Sequence, residues 1–197
     1  MSDPDLTDAV AAIRRGDLVV YPTETVYGLG VDALDPEAIE RVFEAKGRSR
    51  HKPLSMALPE LAAAADYARM TERERRFCER FLPGPVTVLV ERTERVPDVL
   101  VDGGDRVGIR LPDHDTARAL ARRTGPITAT SANRSGEPSA RRVDEIDAAI
   151  RERATVLDGG ETPGTESTVV DVSAGRIVRR GELADEIEAW LAEASPR

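Results

Sequence analysis

The sequence predicts an α/β domain on one twisted, mixed sheet with flanking helices. Three observations predict it. Short β-rich runs alternate with amphipathic helical stretches along the chain. Several neighbouring strand runs have no helix between them, which argues against a purely parallel sheet. Loops are short, with no repeat, no low-complexity run and no dividing linker, so a single domain over residues 1–197 is expected.

The elements follow in order. Leu6 to Arg15 reads as a helix with Val10 and Ile13 on one face and Gly16 as its stop. Leu18 to Tyr21 is a short strand bounded by Pro22, followed by a loop rich in Thr and Gly. Asp35 as N-cap and Pro36 at the first helical position open the next helix. Ile39, Val42 and Phe43 keep its spacing, and Gly47 suits its C-terminal end. Leu54 to Leu58 fits a strand, and Glu60 to Ala68 and Glu72 to Phe81 fit helices. Pro83-Gly84-Pro85 breaks the second of these before a strand at Val86 to Val90. A strand at Val107 to Leu111, a helix at Thr116 to Arg123 and a strand at Pro126 to Thr130 come next. After a helix at Val143 to Arg151, strands are expected at Thr155 to Leu157, Ser167 to Val172 and Ile177 to Arg179. Glu182 to Ala192, carrying Trp190, is the closing helix.

Composition narrows the function classes. Apolar residues at 40% and charged residues at 32% fit a soluble folded chain, not a collagen-like, disordered or disulfide-stapled one. The 28 basic against 36 acidic residues give a net charge of −8, which disfavours general nucleic-acid or anionic-membrane binding. No apolar run is long enough to span a membrane, and the acidic N-terminus does not read as a signal peptide. Cys78 is the sole cysteine and reads as a bystander, so a reducing cytoplasm is the expected location. Only Lys46 and Lys52 are lysines among the 28 basic residues, and they lie in one segment.

Three segments join a strand or helix end to polar or cationic loops. In Tyr21 to Gly30, extended chain would put Thr23 and Thr25 on one side and Glu24 on the other, while Gly28 and Gly30 permit turns or close approach to a ligand. An ordinary Thr-rich strand end with a turn fits as well. In Lys46 to Leu54, Lys46 and Arg48 straddle Gly47 and could clamp a polyphosphate, although a solvated basic loop explains the same residues. In Thr130 to Ser139, Ser131 and Asn133 stand two apart, as they would in a nucleotide site or a plain turn. There is no P-loop, no complete G-x-G-x-x-G, no zinc-type spacing and no serine-hydrolase elbow. His114 lies in a Pro-Asp-His-Asp turn, where a surface role is expected.

Taken together, the segments closely resemble the YrdC/TsaC family of threonylcarbamoyl-AMP synthases. The matching signatures are Pro22-Thr23-Glu24-Thr25-Val26-Tyr27-Gly28-Leu29-Gly30, Lys46-Gly47-Arg48, Pro83-Gly84-Pro85-Val86-Thr87, Gly108-Ile109-Arg110-Leu111-Pro112, Ser131-Ala132-Asn133-Arg134-Ser135-Gly136 and Glu166-Ser167-Thr168-Val169-Val170-Asp171. Any one is weak. Six in order, over about residues 17–181, are specific. The resemblance implies a YrdC-like sheet with a concave cationic face, here in a short form without the further C-terminal domain of longer relatives. It implies synthesis of L-threonylcarbamoyl-AMP and pyrophosphate from L-threonine, bicarbonate and ATP, with Mg2+ on the triphosphate. A downstream tRNA threonylcarbamoyl transferase would use the product, and direct tRNA contact would be weak.

By the same resemblance, Lys46, Arg48, Ser131 and Asn133 belong around the nucleotide phosphates, with Lys46 and Arg48 catalytic. Ser139 and Arg179 would be outer nucleotide contacts. Thr25 and Ser167 would hold threonine, and Arg110 its carboxylate. Two positions depart from the family pattern. Lys52 stands where an Asn commonly precedes Pro-Leu, and would add or replace a phosphate contact. Ala57 stands where a His is frequent. An RNA-binding module, or a paralogue without the reaction, are the competing readings.

Overall fold

The computed structural model describes residues 6–193. Its strands are β1 (Leu18–Tyr21), β2 (Gly28–Gly30), β3 (Ser55–Ala57), β4 (Ala68–Arg69), β5 (Val86–Arg92), β6 (Arg106–Arg110), β7 (Ile127–Ser131), β8 (Ala154–Val156), β9 (Thr168–Asp171) and β10 (Arg176–Arg179). Its helices are α1 (Thr7–Arg14), α2 (Pro36–Lys46), α3 (Glu72–Phe81), α4 (Asp98–Val101), α5 (Asp115–Thr124), α6 (Ala148–Arg151) and α7 (Ala184–Glu193). The strands form one sheet in the order β10-β9-β5-β6-β3-β7-β2-β1-β8, with β4 pairing with β5. Pairs β1–β8, β3–β6 and β5–β9 are parallel and the others antiparallel, so the sheet is mixed, as the missing crossover helices require.

Period-two alternation divides the sheet into two faces. Val20, Met56, Val86, Val88, Val90, Val107, Ile109 and Val170 point into the larger core, which α2, α3, α4 and α7 cover. Trp190 of α7 meets Phe77 of α3 edge-on, with ring centroids 5.1 Å apart. On the opposite face Val19, Tyr21, Ala57 and Ile127 pack under α1 and α5, through Ala9, Val10, Ile13, Ala117 and Leu120.

Local chemistry sets the helix ends. The Asp35 carboxylate accepts the amides of Glu37 and Ala38 at the start of α2, and Gly47 ends that helix in the left-handed region at φ 57°. Thr71 and Glu74 form a reciprocal capping box on α3. Cys78 is fully buried there, and burial pushes its thiol up to about 12, which makes it inert packing.

The structure departs from the sequence reading in four places. Residues 61–66 form a 3-10 turn, and the chain then leaves helical geometry so that Ala68 and Arg69 can pair with β5. Tertiary pairing overrides alanine's helix propensity there. The helix expected over Val143 to Arg151 splits at Ile146, because Asp147 caps the new helix α6 through the Ala149 amide. The short helix α4 was not foreseen. Gly28 to Gly30, read as loop, is β2, and both glycines make room for the Tyr21 ring: a Cβ on either would sit 2.8 Å from a ring carbon. Gly30→Ala is therefore expected to lower stability by roughly 1–3 kcal/mol, as overpacking does, read as an earlier urea midpoint at unchanged slope.

Candidate functional site

The covering helices α1 and α5 reach only part of their sheet face. Beyond them the same face carries Ser55 of β3, Thr87 and Leu89 of β5, Arg106, Gly108 and Arg110 of β6, Ala129 and Ser131 of β7, and Val169 of β9. These residues floor a cavity of about 550 Å³. Its walls come from the Thr23 to Val26 bend, the loop from Arg48 to Leu54, Gly104-Asp105, Ser139, Glu166-Ser167 and Val178-Arg179.

Seven residues expected at the site line this cavity: Thr25, Arg48, Arg110, Ser131, Ser139, Ser167 and Arg179. Lys46, Lys52 and Asn133 do not line it. Lys52 is exposed, and its backbone carbonyl accepts from Arg48 Nε at 2.8 Å. Asn133 is buried; its amide donates to the carbonyls of Arg134 at 2.8 Å and Glu137 at 2.6 Å, while Oδ1 has no partner. Lys46 is 2% exposed, and its Nζ donates to the carbonyl of Ser131 and, at 2.6 Å, to that of Asn133. Burial, with the like charge of Arg48 adding to it, pushes this ammonium down to about 8.

The Thr23 to Val26 segment is a tight bend, not extended chain. The Thr23 hydroxyl donates to the Val26 carbonyl at 2.6 Å and accepts the amides of Thr25 and Val26 at 3.2 Å. The bend brings Glu24 round to the side of Thr25, contrary to the alternation expected of a strand. Arg110 Nη2 then donates to Glu24 Oε1 at 2.9 Å and to the Thr25 hydroxyl at 2.8 Å. Arg110 Nε and Glu24 Oε2 are buried without partners. On the opposite wall Arg179 Nη2 donates to the Ser167 hydroxyl and carbonyl, both at 2.8 Å. Arg48 Nη2 donates to the Pro53 carbonyl at 3.0 Å.

These guanidiniums crowd one another. Arg48 is lowered by burial and then by the like charge of Arg179; Arg179 is lowered by partial burial and by Arg110, against the opposing pull of Glu166. Like charges gathered in one cavity make a positive field there, of the kind that attracts an anion. Arg106 lies on the same floor, but it is paired with Asp171 at 3.0 Å and donates to the Leu89 carbonyl at 2.6 Å. Glu24, Arg106 and Thr87 were missed at the sequence level. Arg106 and Thr87 were readable from the two-residue period they share with Arg110 and Leu89, but Glu24 was not, because only the bend turns it inward. His114 is half-buried at the start of α5 with Nδ1 unpartnered, and burial lowers its pKa, so it is less of a surface residue than its turn suggested. Among the described residues no cluster of His, Cys, Asp or Glu could hold a metal ion, and no helix is long and apolar enough to cross a membrane.

The Sua5, YciO and YrdC family, described as "Telomere recombination", matches residues 11–181. The chain belongs to this family. It is 40% identical to the threonylcarbamoyl-AMP synthase of Pyrococcus abyssi over 94% of this chain and 56% of that protein. It is 37% identical to that of Bacillus subtilis over 86% of this chain and 50% of that protein. It spans about half the length of these relatives. The crystal structure of Pyrococcus abyssi Sua5 complexed with L-threonine superposes with a TM-score of 0.85 at 39% identity, over 92% of this chain and 56% of that one.

If the arginine cluster is an anion site, inorganic tripolyphosphate should raise the melting temperature of the protein, and added salt should weaken the shift. Arg48→Ala and Arg179→Ala should each abolish most of it. A shift that survives both substitutions would place the anion elsewhere.

Proposed function

We propose that this chain makes L-threonylcarbamoyl-AMP and pyrophosphate from L-threonine, bicarbonate and ATP. The observation that carries the reading is the pairing, on one sheet face, of an arginine-and-hydroxyl anion site with the Thr25–Arg110 pair. The relatives named threonylcarbamoyl-AMP synthase support it, as does threonine in the related Pyrococcus structure.

The threonine amine combines with bicarbonate to give a carbamate and water. A carbamate oxygen then bonds to the α-phosphorus as its bond to the bridging oxygen of pyrophosphate breaks. Charge grows on phosphoryl oxygens and leaving group, so positioning and fixed cations carry such a step. Arg48, Arg179, Ser131 and Ser139 take the phosphates. Arg110 exchanges part of its contact with Glu24 for the threonine carboxylate, to which its planar fork is matched. Thr25 and Ser167 hold the remaining polar groups of the amino acid. Magnesium bound with ATP would neutralise charge on the triphosphate, and Asp105 and Glu166 are the carboxylates lining the cavity beside it. A separate transferase then moves the threonylcarbamoyl group to tRNA, in the reducing cytoplasm that a lone buried thiol suits.

Pyrophosphate should be released only when threonine, bicarbonate and ATP are all present. Release indifferent to threonine would favour a paralogue with another reaction. RNA binding without release would favour the binding-module reading. Arg110→Ala should raise the threonine KM roughly ten- to a hundredfold, the worth of a charged hydrogen bond, and the ATP KM much less. Equal losses for both substrates would make Arg110 structural.

A further inference from the structure

Lys46 sits beside the pocket without lining it. A buried ammonium with no carboxylate partner is costly, and an apolar side chain of the same length would fill the space without that cost. The charge acting on it is the like charge of Arg48. What it has instead is geometry. Its single nitrogen joins two carbonyls two residues apart, those of Ser131 and Asn133. Its own carbonyl accepts the Ser135 amide at 2.8 Å. The last residue of α2 is therefore fastened to the 131–135 turn at three points. Ser131, at the end of β7, is the member of that turn on the cavity floor.

We infer that Lys46 is a positioning residue: it fixes the Ser131-Ala132-Asn133 turn, and through it the Ser131 hydroxyl, rather than touching the phosphates itself. A point-like ammonium can bridge the two carbonyls, whereas the wide guanidinium fork of arginine would push them apart. This rests on the synthase reading for its kinetic test, so a structural test runs beside it.

The experiment is a double-mutant cycle of Lys46→Met and Ser131→Ala, followed by pyrophosphate release, with melting temperatures for each variant. Lys46→Met alone should lower kcat on the order of a hundredfold, as a small misplacement of a binding group does. In the Ser131→Ala background the same change should cost less than about twofold more, because its effect passes through Ser131. Losses that multiply would mean that Lys46 meets substrate directly, and would overturn the inference. So would a lowered melting temperature with kcat intact, the mark of a merely structural lysine. If Lys46→Met does not fold, Lys46→Arg carries the same cycle with the same expectation. Hydrogen exchange over residues 131–137 is read on the same proteins without substrates. It should be faster in the Lys46 variants, and unchanged exchange would also overturn the inference. An inactive native protein with this exchange difference present would count against the synthase reading and leave the positioning role standing.

Discussion

The structure turns on one constraint: a sheet has two faces, and this one is covered fully on only one of them. Alternation along β5, β6 and β9 sends Val86, Val88, Ile109 and Val170 into the large core. The residues between them, Thr87, Gly108, Arg110 and Val169, must then face the other way. There α1 and α5 shield only the region around Val19, Ala57 and Ile127. The cavity occupies the part of the sheet left over, so its residues rest on a rigid floor whose other side is packed. Shifting any of these strands by one residue would bury the arginines and expose the valines together.

That floor resolves an apparent conflict in the charge. The chain is acidic overall at −8, yet its cavity gathers arginines. Many surface arginines are paired with carboxylates, as Arg80 is with Glu186 and Arg95 with Asp66. In the cavity Arg110 and Arg106 keep carboxylate partners in Glu24 and Asp171, but Arg48 donates to neutral carbonyls, and Arg179 lies 4.0 Å from Glu166. Net charge therefore reports little about the site, whereas the placement of weakly paired guanidiniums around one sheet face reports a great deal.

The alternation of strands and helices, the caps at Asp35 and Gly47 and the mixed sheet were legible because each is written in local residues. What was not legible came from contacts that a residue pattern does not spell out, some local, as in the Thr23 to Val26 bend, and some between separate strands. Nothing in Gly28-Leu29-Gly30 says that a tyrosine ring from the neighbouring strand crosses it. Nothing in the run of alanines from Ala62 to Ala65 says that Ala68 and Arg69 will pair with β5. The site residues were found largely through family resemblance, since each segment alone also fits a turn or a solvated loop. Seven of them meet in the cavity, while the geometry keeps Lys46, Lys52 and Asn133 off its walls.

Lysine usage gives this distinction its last step. A chain that writes nearly every cation as arginine still has lysine at the end of α2. Charge alone does not explain it, because arginine supplies charge more robustly than lysine in a buried setting. The carbonyls of Ser131 and Asn133 do explain it: they converge on one point, and a point donor is what an ammonium provides. The residue type then follows from the shape of the turn it holds. The cations that face the cavity, where a planar fork suits a carboxylate or phosphate, are all arginine.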